Sequence, residues 1–188
     1  MARSPLLLPT GAPPHSSMTL RTRMDNDIDN LQPWSYAPME LQKLAEGIQK
    51  YELLGAKRVG EPCPVYNCHG LTFGSRRAEV DYHWPVISAI LKDDGFIEIE
   101  LHRTTEGDVV VYFDSRGIPD HSGIVVGFWV DDGLGVGTGA SNVPLIWSKW
   151  GKGWEAIHPL SSCPYNSVNT KFYRITRWKT EELLTSNI

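Results

Sequence analysis

The chain has 188 residues, 41% of them apolar and only 21% charged, which predicts a single domain with a real core and excludes wholesale disorder. Eighteen Lys and Arg face 22 Asp and Glu for a net charge of −4, with no basic block, so a nucleic-acid partner is not expected. No apolar run approaches the roughly 20 residues that cross a bilayer, and the Leu6–Leu8 triplet ends at Pro9, too short for a signal-peptide core of about 7 residues or more. The expectation is therefore cytoplasmic synthesis without a membrane partner, any export being non-classical.

Residues 1–33 read as a flexible tail, because Pro5, Pro9, Pro13 and Pro14 sit among Gly, Ser and Thr without a hydrophobic period. A folded unit is expected over 34–188. Pro38 suits a first helical turn, Leu41, Leu44, Ala45, Ile48 and Tyr51 recur at helical spacing, and Gly55 closes that helix. Asn67 to Gly74 is too Gly-rich for a long helix but suits the opening of a short one. A further helix is predicted from Pro85, with Val86, Ile87, Ile90 and Leu91 on one face and Gly95 as its stop.

From Phe96 the period becomes two. Strands are predicted over Phe96–Leu101, Val109–Phe113, Ser122–Val130, Pro144–Trp147 and Phe172–Trp178, with a terminal helical turn over Thr180–Leu184. Short turns such as Glu106-Gly107-Asp108 favour antiparallel neighbours. Helices first and strands afterwards is the pattern of an α+β fold. Asp108, Asp120 and Asp131-Asp132 read as solvated turn residues.

The candidate chemistry begins at Cys68. A cysteine at a helix start is placed so that the helix N-terminus lowers its pKa, although a buried structural thiol is the alternative. His121 heads His121-Ser122-Gly123-Ile124-Val125-Val126-Gly127. Together the two supply the nucleophile and base of covalent catalysis, which must meet in space and not in sequence. His69 cannot serve as that base from the next helical position, since successive side chains diverge by about 100°; it is expected to pack or to line the cleft. Tyr66 and Asn67 are candidates to help the Cys68 amide bind a developing oxyanion. Trp150 and Trp154 are candidate walls of a substrate groove. The three cysteines cannot all pair internally, and Cys63 and Cys163, each followed by Pro, read as structural thiols. With Cys68 and His69 they lack the paired spacing of a zinc site, so no metal is expected.

The Cys68 helix start, the Gly107-Asp108 turn into an apolar strand and the His121 strand resemble the papain-like NlpC superfamily of cysteine peptidases and amidases, over about residues 60–160. The commonest family pattern has Asp before the cysteine and Ser-Gly after it, where this chain has Asn67 and His69-Gly70. The resemblance implies a papain-like fold, with N-terminal helices packed on an antiparallel sheet, and thiol-dependent hydrolysis of an amide bond, often in cell-wall peptides. It also implies a third residue orienting the histidine; His158 is the choice, with Ser148 and Asn142 as alternatives. The expected activity is a Cys-His acyl-enzyme hydrolysis on a peptide or amide, with peptidoglycan stem peptides as the leading substrate and no cofactor. An acyltransferase, a protein deamidase or a non-catalytic binding module on the same scaffold are the rivals. A toxin role would add an inhibitor or immunity protein as partner.

Overall fold

The computed structural model describes residues 14–81, 84–131, 141–165 and 169–176. Two short strands, β1 (His15–Ser16) and β2 (Asn30–Pro33), precede helix α1 (Pro38–Leu53) and β3 (Lys57–Val59). Helix α2 (Cys68–Phe73), β4 (Glu79–Val80) and helix α3 (Trp84–Asp93) follow. Then come β5 (Phe96–Ile99), β6 (Val109–Phe113), β7 (Pro119–Asp131), β8 (Ser141–Lys149), β9 (Glu155–Pro159) and β10 (Thr170–Ile175). Seven strands form one antiparallel sheet in the order β3-β9-β8-β7-β6-β10-β5, with β7 at its centre; β1, β2 and β4 form a small second sheet. The fold is α+β with a large antiparallel sheet.

The helices start and stop for local reasons. Pro38 occupies the first turn of α1, and Glu40 reaches back to accept the Ala37 amide at 2.7 Å, satisfying a donor that the helix leaves free. Gly55 and Gly95 follow α1 and α3 with φ of 64° and 74°, a backbone that glycine adopts without penalty.

Strand β6 reads as one unbroken apolar run because both of its faces are covered. Val109, Val111 and Phe113 pack with Ile87, Ile90 and Leu91 of α3, and Val110 and Tyr112 pack with Val125, Ile146 and Phe172 on the other face. Each such fully buried side chain contributes about 1.5–3 kcal/mol. A third cluster joins Tyr51 of α1 to Ala56, Trp150 and Ala156.

The expected tail ends earlier than residue 33. Leu20 and Ile28 belong to the α3 cluster, β2 pairs with β4, and Thr22 and Asn26 donate to the Asp93 carboxylate at the end of α3. Two apolar residues flanking a tight turn sufficed to dock a stretch in which no sustained period is visible; residues 1–13 lie outside the described residues. So do Trp178 and the expected turn at Thr180–Leu184. Asp108 also differs from its solvated reading: it is buried, accepts the Thr105 amide at 2.7 Å and pairs with Arg174 at 2.7 Å.

Among the described residues no helix is long and apolar enough to cross a membrane. Helix α2 lies so close to the segment before β4 that a Cβ on Gly70 would collide with the Ala78 carbonyl, a backbone group that cannot swing aside. Gly70→Ala is expected to lower unfolding free energy by at least about 2 kcal/mol, read from urea midpoints at unchanged m-value.

Candidate active site

Six residues make a weak helix by themselves, and α2 exists because its surroundings hold it. Asn67 is the N-cap: its Oδ1 accepts the Gly70 amide at 2.8 Å and the Val80 amide at 3.2 Å, while its Nδ2 donates to the Val80 carbonyl at 2.8 Å. An aspartate could accept both amides but could not donate to that carbonyl, which is a physical reason for an amide at this position. Glu155 on β9 anchors both flanks of the helix. It accepts from Tyr66 Oη at 2.7 Å, from Arg76 Nε at 2.6 Å and from Trp147 Nε1 at 2.9 Å.

The helix is fastened to β7 by an ordered chain of hydrogen bonds. Thr72 Oγ1 donates to the Cys68 carbonyl at 3.0 Å and accepts from Ser122 Oγ at 2.9 Å, so the Ser122 hydroxyl in turn accepts from His69 Nδ1 at 2.8 Å. These directions fix His69 as the neutral Nδ1–H tautomer. Burial lowers its pKa to about 4. His69 is fully buried and therefore packs; it does not line a cleft.

Cys68 occupies the first position of α2, and amides of Ser122, His69 and its own residue are directed at the sulfur. Ser122 stands one residue past Gly123↔Ser148, the pair that ends the β7–β8 ladder, so its neighbourhood is where β8 parts from β7. The sulfur thus sits against the residue that follows His121. The expectation of a lowered thiol pKa fails: burial pushes it up to about 12, and nearby Asp120 adds to the effect while the amides only moderate it. Helix-end electrostatics are outweighed by loss of water.

His121 is fully buried, and among the described residues neither ring nitrogen has a hydrogen-bond partner. Its ring stacks on Tyr165, centroids 4.0 Å apart and planes 4° apart, and tilts against Tyr112 at 5.4 Å. Burial, with the imidazoles of His69 and His158 nearby, holds it well below the usual histidine range. Burial thus favours the neutral form of both groups.

No orienting partner comes from the expected third residue. His158 Nδ1 donates to the Pro159 carbonyl at 2.9 Å, so its Nε2 accepts from the Ser148 hydroxyl at 2.9 Å, and Ser148 accepts from Trp150 Nε1 at 3.1 Å. His158 and Ser148 are committed to each other because Ile146↔His158 and Ser148↔Ala156 set them on one face of adjacent strands. Asn142 is exposed and pairs with Val130, at the far end of the β7–β8 ladder from Ser148. Nor do Tyr66 and Asn67 offer side chains to an oxyanion, since Glu155 and Val80 occupy them. Trp150 and Trp154 do line a groove of about 380 Å³, together with Tyr51, Leu44, Pro164 and Tyr165.

No family model matches this chain, and neither a curated protein nor a solved structure does. The site is accordingly read from its own atoms. Two of its members carry no signal in the sequence: Glu155, and Lys149, whose buried amine donates to the Gly153 carbonyl, lies 4.5 Å over the Tyr66 ring and is pushed down to about 8 by burial. Among the described residues no group of three or more His, Cys, Asp or Glu is arranged to hold a metal ion.

The buried neutral histidines set a pH dependence. His69, His121 and His158 have native pKa values lowered below the unfolded value, so their contribution is complete above about pH 6.5 and is lost as pH falls toward 4, at up to about 1.4 kcal/mol per histidine per unit. The depressed carboxylates Asp108 and Glu155 act further down, losing theirs below about pH 4. The urea midpoint should be level between pH 7 and 8 and fall steeply from 6.5 to 4, and His69→Gln should reduce that slope. Separately, Glu155→Gln should lower stability by about 2 kcal/mol and broaden the NMR resonances of α2, because both of its flanks lose their anchor.

Proposed function

We propose that the protein is a cysteine-dependent amide hydrolase with a papain-like arrangement, in which Cys68 is the nucleophile and His121 the general base. The observation that carries this reading is the His121 ring. Leaving buried nitrogens without partners costs about 1–3 kcal/mol each, and such uncompensated groups gather at functional sites. His121 lies on β7 one residue before Ser122, whose amide approaches the Cys68 sulfur at the start of α2.

In the reaction His121 takes the thiol proton as the sulfur attacks the substrate carbonyl. The amides at the start of α2, those of Cys68 and His69, are the donors offered to the developing oxyanion in place of the Tyr66 and Asn67 side chains. His121 then gives its proton to the leaving nitrogen, and an acyl-enzyme thioester remains. Water deprotonated by the same imidazole attacks that thioester, releasing a carboxylic acid and restoring the thiol. Ring stacking against Tyr165 and Tyr112 holds His121 in place. Peptidoglycan stem peptides remain the leading substrate.

A second reading, a non-catalytic binding module, draws on the burial and high pKa of Cys68. Incubation of the wild type with peptidoglycan and with model peptide amides, products read by mass, separates the two. Products absent with Cys68→Ala and formed about 10²-fold or more slowly with His121→Ala are expected. No product from any substrate with an unreactive thiol establishes the binding module. A persistent acyl-enzyme without released acid points to a transferase on the same nucleophile.

A further inference from the structure

One residue belongs to two places at once. Tyr165 covers the His121 ring at 4.0 Å and also forms part of the wall of the groove between α1 and the turn after β8. Burial pushes the Tyr165 phenol up, so this ring stays neutral where it covers the imidazole. His121 is 0% exposed and Cys68 7%. Tyr165 thus stands with one face on the His121 ring and also lines the groove.

The groove's walls specify what it takes. Tyr51 stacks on Trp150 at 4.4 Å, Trp154 sets its edge against Tyr51 at 6.0 Å, and Leu44, Pro164 and Tyr165 complete an aromatic and aliphatic lining. The charged groups of the lining are Glu40, Lys43 and Lys152, of which Lys152 pairs with Glu40 and with Glu79 beside the groove, each at 2.9 Å. An uncharged aromatic side chain matches such a lining through apolar contact and ring stacking, where a charged one would lose its hydration.

We propose that the groove is the recognition subsite for an aromatic side chain of the amide substrate, and that Tyr165 is the gate whose displacement joins this subsite to Cys68 and His121. The inference rests on the hydrolase reading, adds an opening step, and replaces the stem peptide, which carries no aromatic side chain, with a peptide amide that does. With the gate aside, water reaches the sulfur and the burial that disfavours its thiolate is relieved.

The test measures alkylation of Cys68 by two probes, chloroacetamide and N-benzyl chloroacetamide, following the Cys68 peptide by mass so that Cys63 and Cys163 do not interfere. In each the sulfur displaces chloride, a C–S bond forms, and the thiol proton passes to His121. Wild type is expected to react at least 10-fold faster with the benzyl probe than with chloroacetamide, relative to the same ratio for a free thiol in solution. Tyr165→Ala should raise both rates at least 10-fold, and Tyr165→Phe, which keeps the ring, should restore wild-type rates. Gly47 lines the groove and a Cβ there meets nothing within 4 Å, so Gly47→Leu narrows the groove without displacing a neighbour and should return the probe ratio to that of the free thiol. Because that variant leaves the stacked rings alone, it decides the question even where Tyr165→Ala does not fold. Equal probe ratios in wild type and free thiol overturn the subsite, and unchanged rates in a folded Tyr165→Ala overturn the gate. Gating without any Cys68-dependent hydrolysis would instead count against the hydrolase reading, leaving the access route standing.

Discussion

A helix of six residues has too few internal hydrogen bonds to persist in water, and the placement of the site depends on how α2 is pinned. Three kinds of contact do it. Asn67 ties the helix start to β4, Glu155 gathers Tyr66 and Arg76 from either side onto β9, and the run from His69 through Ser122 and Thr72 binds the helix to β7. Each uses a polar group in a buried or half-buried setting, where a missing partner is expensive, so the position of α2 is specified by satisfaction of donors and acceptors as well as by apolar packing. The sulfur inherits that precision.

The electrostatic state of the site follows from dryness. Loss of water is the largest influence on Cys68, His69, His121 and Lys149 alike, and it drives each toward its neutral form. Burial thereby disfavours both a Cys68 thiolate and a His121 imidazolium in the folded protein. The aromatic stack that disfavours the charged forms also keeps the imidazole in one orientation.

Much of the architecture was legible. The helix of α1 with its Gly55 stop, the helix of α3 with Gly95, and the apolar run of β6 all follow from period, caps and turn residues, and each was placed within a few positions. Cys68 at a helix start and His121 near the start of the next long strand were likewise visible, because short-range signals mark both positions. What stayed hidden depends on register. Nothing local announces that Ser148 will face His158, that Glu155 will collect donors from residues up to 89 positions away, or that Lys149 will be enclosed. The tail boundary was set too late for a related reason: Leu20 and Ile28 find their partners in α3, far along the chain. The lowered thiol pKa failed because sequence reveals helix polarity but not the depth of burial.

The order in which the chain presents these parts carries a further consequence. Cys68 precedes Ser122 and Tyr165 by long intervals, so during synthesis the sulfur emerges well before the strand and the ring that enclose it. Until the central strands zip together, a slow event for a topology dominated by distant pairings, the thiol is open to oxidants. Sulfenic acid formed in that interval would place a polar oxygen on a side chain that the finished fold buries. The nascent chain is therefore the form in which this thiol is most open to oxygen.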